Sequence, residues 1–97
     1  MKVKELLSDE SKWTRGAYAR DSMGHHISST DPDEKCWCLQ GAINFCYQGP
    51  LIVHRDEAIE RAYKAVHEHY GTPSLFTFND RKATFEDIKK VIELADI

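Results

Sequence analysis

The sequence predicts a mainly α-helical fold: about four helices packed around a central apolar helix, with a small β-hairpin near residues 16–28 as a minor α+β component. The chain of 97 residues is long enough for one hydrophobic core. Apolar residues recur at helical spacing through much of the chain, whereas the stretch near residue 20 is extended and broken by turn residues. We therefore expect residues 1–97 to form a single domain.

The N-terminal third is predicted to hold a short helix followed by the hairpin. The helix spans residues 2–11, with its apolar residues on one side, and Trp13 anchors the chain after it. Residues 16–20 and 25–27 form the two strands. The turn between them spans residues 21–24, where Gly24 can adopt a positive φ.

The central helix is predicted to begin at Asp31-Pro32-Asp33-Glu34, which has the residues of a capping box. It would continue to about Gln48 and is apolar on nearly all sides, as expected of a helix packed against several neighbours. Gly41 lies in its middle, at a cost of roughly 1 kcal/mol relative to alanine. Close approach of another backbone at Gly41-Ala42 would explain this glycine.

Two more helices complete the prediction. One runs from about Arg55 to Tyr70, where Gly71 ends it. The other begins after Thr84, the expected N-cap. The segment between them, residues 72–83, is predicted to be a loop held down by its apolar residues. The apolar side of the last helix consists of Phe85, Ile88, Val91, Ile92 and Ala95.

Composition disfavours several classes of protein. Thirteen basic and 16 acidic side chains give a formal charge of −3, without the basic excess typical of nucleic-acid binders. No apolar stretch resembles a signal peptide or a membrane span. Three cysteines, an odd number, are expected to be reduced thiols, which favours the cytoplasm. We expect no nucleic-acid or membrane partner and no cofactor.

Three segments carry a resemblance to a known family. They are Trp13 with GAYARD at residues 16–21 and Gly24, then WCLQGA at residues 37–42, then FNDR at residues 78–81 with Thr84. In their order and spacing they resemble a family of small bacterial and phage proteins catalogued as a domain of unknown function. Phe78 stands where that family usually has tryptophan. The resemblance implies a shared fold and no particular reaction.

Metal binding is disfavoured because the possible ligands are poorly spaced. Two cysteines, Cys36 and Cys38, are expected on opposite sides of a helix, and His25 and His26 on opposite faces of a strand. No zinc-binding pattern of closely spaced cysteine and histidine occurs. We therefore assign no metal ligand.

Nucleophilic catalysis would need an exposed thiol beside a base. Cys38 lies within the most apolar predicted helix and is expected to be a core residue, although His54 follows it in the sequence. We assign no catalytic residue. Structural roles are expected for Trp13, Trp37, Cys38, Gly41, Ala42 and Thr84.

Asn79, Asp80 and Arg81 are the leading candidates for a binding site. Asparagine and aspartate in a tight loop commonly bond to nearby backbone, which is the structural alternative. In the functional alternative, Arg81 holds a phosphate or carboxylate at the mouth of a groove beside the N-terminus of the last helix. Arg20 and Asp21, at the tip of the hairpin, are candidates for a second wall of that groove.

Aromatic side chains are expected to be buried or partly buried rather than to form a stacking platform. These include Tyr18, Tyr47, Tyr63 and Tyr70. The first functional hypothesis is a non-enzymatic accessory module of phage origin that binds another protein. The second is a small-ligand binder or hydrolase-like enzyme with a groove near Asp80, Arg81 and Arg20. A homodimer formed through a helix face is a third possibility.

Overall fold

The computed structural model describes residues 1–97. Five α-helices and a three-stranded antiparallel sheet make up the fold, which confirms a mainly helical structure with a minor β component. The helices are α1 (Val3–Leu6), α2 (Leu39–Cys46), α3 (Arg55–Tyr70), α4 (Leu75–Thr77) and α5 (Phe85–Ala95). The strands are β1 (Ala19–Arg20), β2 (His26–Ile27) and β3 (Cys36–Trp37).

The predicted hairpin is present, and a third strand joins it. Strand β1 lies in the middle of the sheet, with Ala19 opposite both Ile27 of β2 and Trp37 of β3. Gly24 in the turn between β1 and β2 has a φ of 83°. Trp13 adds an isolated parallel bridge to Trp37, so the sheet is tied to the segment after α1.

The predicted start of the central helix is wrong. Asp31 closes a local turn instead: its carboxylate accepts a hydrogen bond from Asp33 N at 2.8 Å, and its carbonyl accepts one from Glu34 N at 3.3 Å. A carboxylate that bonds the backbone two residues on serves a turn as well as a helix cap, so the sequence signal is ambiguous. Cys36 therefore lies on β3 and not on a helix, contrary to the prediction, and α2 begins only after Cys38.

The first helix is also shorter than predicted. It ends at Leu6, and a separate 3₁₀ turn covers Glu10–Lys12, where the Asp9 side chain caps Ser11 N. The three apolar residues assigned to its inner side, Val3, Leu6 and Leu7, are all buried.

Helix α2 contacts α1, α3 and α4, and is thus the central helix of the fold. Helices α3 and α5 form the most extensive helix pair beside it. The bounds of α3 agree with the prediction, and Gly71 ends it with a φ of 62°. All five residues predicted for the inner side of α5 are buried. The hydrophobic core draws on all five helices and on β1 and β3.

Residues 72–83 are helical for much of their length rather than a loop. Ser74 accepts a hydrogen bond from Thr77 N at 3.1 Å and so caps the short helix α4. A π-helical turn, Phe78–Lys82, continues directly from it. Leu75 and Phe78 are buried as expected, but Phe76 points outward and is 43% exposed.

Gly41 allows the close backbone approach that its position suggested. A Cβ built on Gly41 would lie 1.9 Å from the carbonyl oxygen of Tyr18. That carbonyl accepts a hydrogen bond from Cys38 N at 3.1 Å, so the chain leading into β1 rests directly on the first turn of α2. No helix combines the length and apolar character that crossing a bilayer requires.

Candidate functional site

Asn79 lies at the centre of a buried hydrogen-bond network that connects distant parts of the chain. We call this network the polar joint. Its side chain is 1% exposed. Its Oδ1 accepts hydrogen bonds from Trp13 Nε1 at 2.7 Å and from Leu39 N at 3.0 Å. Its Nδ2 donates to the carbonyl of Thr14 at 3.0 Å and to Asp80 Oδ1 at 2.8 Å. All hydrogen-bonding groups of this amide are thus occupied within the chain, and Asn79 presents none of them to a ligand.

Asp80 contributes one oxygen to the same joint. Its Oδ1 accepts a hydrogen bond from Gly16 N at 3.0 Å in addition to the one from Asn79. The other carboxylate oxygen, Oδ2, makes no hydrogen bond to the protein, and Asp80 lines an open cleft. Asp80 is therefore partly structural and partly available to a ligand.

Arg20 bonds to the same segment but makes no hydrogen bond to Asp80. Its guanidinium donates to Thr14 Oγ1 at 3.0 Å, to the carbonyl of Arg15 at 3.0 Å and to the carbonyl of Gly24 at 2.9 Å. These bonds direct Arg20 onto its own chain. The structure thus brings Arg20, Asn79 and Asp80 around residues 14–16, without forming an arginine–carboxylate pair.

Asp21 holds the hairpin turn. Its Oδ1 accepts hydrogen bonds from Met23 N and His25 N, both at 2.9 Å, and its Oδ2 lies 3.1 Å from His25 Nδ1. The backbone hydrogen bond from His25 is the main cause of a lowered pKa for this carboxyl. Arg81, in contrast, is exposed and forms no ion pair. The five candidate residues therefore do not converge on one groove.

The N-terminus of α5 is occupied by the chain's own carboxylate. Asp87 Oδ2 accepts a hydrogen bond from Thr84 N at 2.9 Å, and Thr84 Oγ1 accepts one from Asp87 N at 3.3 Å. The backbone hydrogen bond from Thr84 is the largest cause of the lowered pKa of Asp87. Because a carboxylate already lies at this end of the helix, its charge disfavours the anion that Arg81 was expected to hold there.

Two of the three cysteines, Cys38 and Cys46, lack the environment of a nucleophile. Cys38 is 1% exposed, and its Sγ accepts a hydrogen bond from Gly41 N at 3.2 Å, so it acts as the N-cap of α2. Burial raises the pKa of the Cys38 thiol, and raises that of Cys46 to about 11. All three cysteines are free thiols. No three side chains of histidine, cysteine, aspartate or glutamate come together as a possible metal site.

Two neighbouring clefts were missed by the sequence reasoning. The first, of about 390 Å³, is lined by Gly16, Tyr18, His26, Ile27, Phe76 and Asp80 among others. The second, of about 480 Å³, is lined by Asp56, Ile59, Glu60, Tyr63, Leu75 and Phe76 among others. Phe76 lines both. Contrary to expectation, Tyr18 and Tyr63 are 46% and 41% exposed.

The spacing of the apolar residues around Phe76 indicates that its side chain points away from the core. Leu75 and Phe78 are three residues apart and share one side of a helical turn, which places Phe76 on a different side. The ring of Phe76 meets Tyr18 edge-on, with centroids 5.2 Å apart and an angle of 83° between the planes.

The fold and these clefts define a small, mainly helical protein with a minor β-sheet, in which Asn79 and Asp80 form the polar joint and an aromatic surface lies beside it. The model of a family described as "Family of unknown function (DUF6197)" matches residues 1–96, so the chain belongs to that family. This confirms the family resemblance read from the sequence. No curated protein and no solved structure matches the chain.

Proposed function

We propose that this protein is a non-enzymatic interaction module that binds another protein through the surface around Phe76. The observation that carries the proposal is the grouping of Tyr18, Tyr63 and Phe76, each more than 40% exposed, along two adjoining clefts. Exposed aromatic side chains grouped in this way are typical of protein-binding surfaces, where they supply much of the binding energy.

The burial and internal hydrogen bonds of the chemically reactive side chains also favour binding over catalysis. Cys38 is buried with a raised pKa, Arg20 is held by three internal hydrogen bonds, and Asn79 has no free bonding group. A general base or nucleophile must reach its substrate, and these side chains are directed into the fold. We further propose a bacterial or phage origin and a cytoplasmic location. The free thiols of all three cysteines favour the cytoplasm.

Binding of a small ligand beside Asp80 is the second candidate. Asp80, whose Oδ2 makes no hydrogen bond to the protein, lines a cleft together with His26 and two aromatic rings, which suits a compact cationic molecule. Arg20 would take no direct part, because its guanidinium is directed onto residues 14–15 and Gly24.

Site-specific photocrosslinking in the cells of origin tests the interaction module. A photoreactive phenylalanine analogue replaces Phe76, or replaces Leu94 as a control; Leu94 is 46% exposed on α5 and lines neither cleft. We expect position 76, but not position 94, to form a crosslink to a second protein. Absence of any crosslink at position 76, or the same products at both positions, would refute the proposal. A crosslink between two copies of the chain would replace it with a homodimer.

A further inference from the structure

We propose that the partner docks a basic segment on the Phe76 surface, with lysine or arginine side chains on either side of an apolar one. The Phe76 surface is defined as the two clefts that share Phe76. This inference rests on the proposed interaction function and specifies the chemistry of the partner.

The shape of the surface favours an extended or helical segment rather than a compact ligand. Phe76 lines both of the two open clefts, of about 390 and 480 Å³, so a segment that occupies both clefts must contact this ring. Ile27 lies in the first cleft and Ile59 in the second, both partly buried against the core. Each cleft thus offers an apolar floor for one side chain of a partner.

The charge of the surface specifies the partner. Asp80 lines one cleft, and Asp56 and Glu60 line the other, whereas neither lining contains a lysine or arginine. The chain has 13 such residues, so their absence from both linings makes the linings themselves acidic. Two guanidinium groups lie beside the linings: that of Arg20 donates to three oxygens of its own chain, and that of Arg55 lies 3.7 Å from Asp56. Opposite charge on the partner steers association and selects among competing segments.

These carboxylates are largely free to accept new partners. Glu60 takes part in none of the chain's four ion pairs. Asp56 has only Arg55 Nε, at the long distance of 3.7 Å, and Asp80 keeps Oδ2 without a hydrogen bond to the protein. The faces of nearby aromatic rings add a further attraction for a cationic side chain.

Selection from a displayed library of random short peptides, with the full-length protein as bait, tests this inference. We expect the enriched peptides to combine lysine or arginine with leucine, isoleucine or aromatic residues, and to bind more weakly at high salt. Their affinities are then measured by fluorescence polarisation for two pairs of variants: Glu60→Lys against Glu68→Lys, and Phe76→Ser against Leu94→Ser.

Each pair contains a matched control. Glu60 and Glu68 are both exposed on α3, and their reversal changes the net charge equally, but Glu68 lines neither cleft. We expect Glu60→Lys and Phe76→Ser each to weaken binding roughly tenfold or more, and both controls to bind as the parent does. Because Glu60 is exposed, its reversal tests the proposal even if Phe76→Ser folds poorly.

Enrichment of no peptide, or of neutral or acidic peptides, would overturn the basic partner, as would equal affinities for the Glu60 and Glu68 variants. The crosslinking experiment at position 76 distinguishes failure of the basic partner alone from failure of the proposed interaction function. A crosslink that persists while the peptides lack basic residues leaves the interaction module standing and removes only the basic segment. Loss of both results removes the proposed function as well.

Discussion

Replacing Gly41 with alanine tests the contact that joins the sheet to the central helix. The added Cβ would lie 1.9 Å from the Tyr18 carbonyl oxygen and 2.8 Å from its carbonyl carbon. Since ordinary carbon–oxygen contacts are about 3.3 Å or longer, the two backbones would have to separate by roughly 1.4 Å. Both atoms met by the new Cβ belong to backbone, so rotation of a side chain cannot relieve the clash.

The expected loss of stability follows from three contributions. Overpacking costs about 1–3 kcal/mol. Loss of the buried hydrogen bond from Cys38 N to Tyr18 O, now 3.1 Å long, costs about 1 kcal/mol more. Alanine returns about 1 kcal/mol through its better helix propensity. The net destabilisation is about 1–3 kcal/mol, which lowers the Tm of a domain of this size by roughly 4–24 °C.

Urea and thermal unfolding followed by circular dichroism measure this loss, with Gly71→Ala as the control. Gly71 has a φ of 62° and no atom within 4 Å of an added Cβ, so its replacement incurs only backbone strain of about 1 kcal/mol. We expect Gly41→Ala to be more destabilising than Gly71→Ala. An equal or smaller loss at Gly41 would refute the close approach of the two backbones.

Three further predictions concern buried groups. Asn79→Asp should destabilise the fold by about 2 kcal/mol or more near neutral pH, because a carboxylate would replace the amide donor that faces Asp80. Urea unfolding at lower pH should show that part of this stability is restored. Burial, together with the nearby carboxylate of Asp31, raises the pKa of Glu34 from 4.5 to about 7. The stability that protonated Glu34 provides is therefore present below pH 4.5 and lost as the pH rises through 7. Glu34→Gln should therefore unfold like the parent at low pH and be more stable by about 1 kcal/mol near pH 8, whereas equal stability there would contradict this assignment. Thiol labelling of the native protein should modify only the partly exposed Cys36 rapidly; rapid labelling of either buried thiol would contradict the packing of the core.

The helices that could be predicted are those whose ends are fixed by local signals. Gly71 ends α3, and Thr84 with Asp87 begins α5, so sequence neighbours alone determine these boundaries. Strand β3 has no such signal. Cys36 is extended because it pairs with Arg20 across the sheet, and a contact between residues so far apart leaves no mark in the local pattern.

The candidate site could be predicted only in part, because it too depends on contacts between residues far apart in the sequence. The sequence identified Asn79 and Asp80 as notable, and the structure places both at residues 14–16. The direction of the Asn79 side chain depends on Trp13, which lies 66 residues earlier, and this long-range hydrogen bond could not be read from spacing. Phe76 was missed because an apolar residue in a presumed loop was expected to be buried, although helical geometry turns it outward.

Asp80 illustrates why the motif residues are a poor place to test function. Its Oδ1 accepts hydrogen bonds from Gly16 N and the amide of Asn79, while its Oδ2 makes no hydrogen bond to the protein and is free for a partner. Any substitution at Asp80 would change the joint and the cleft together, so a loss of binding could follow from a disturbed fold. Glu60 and Phe76 carry the charge and the aromatic character of the same surface without belonging to the joint, and they can therefore separate binding from stability.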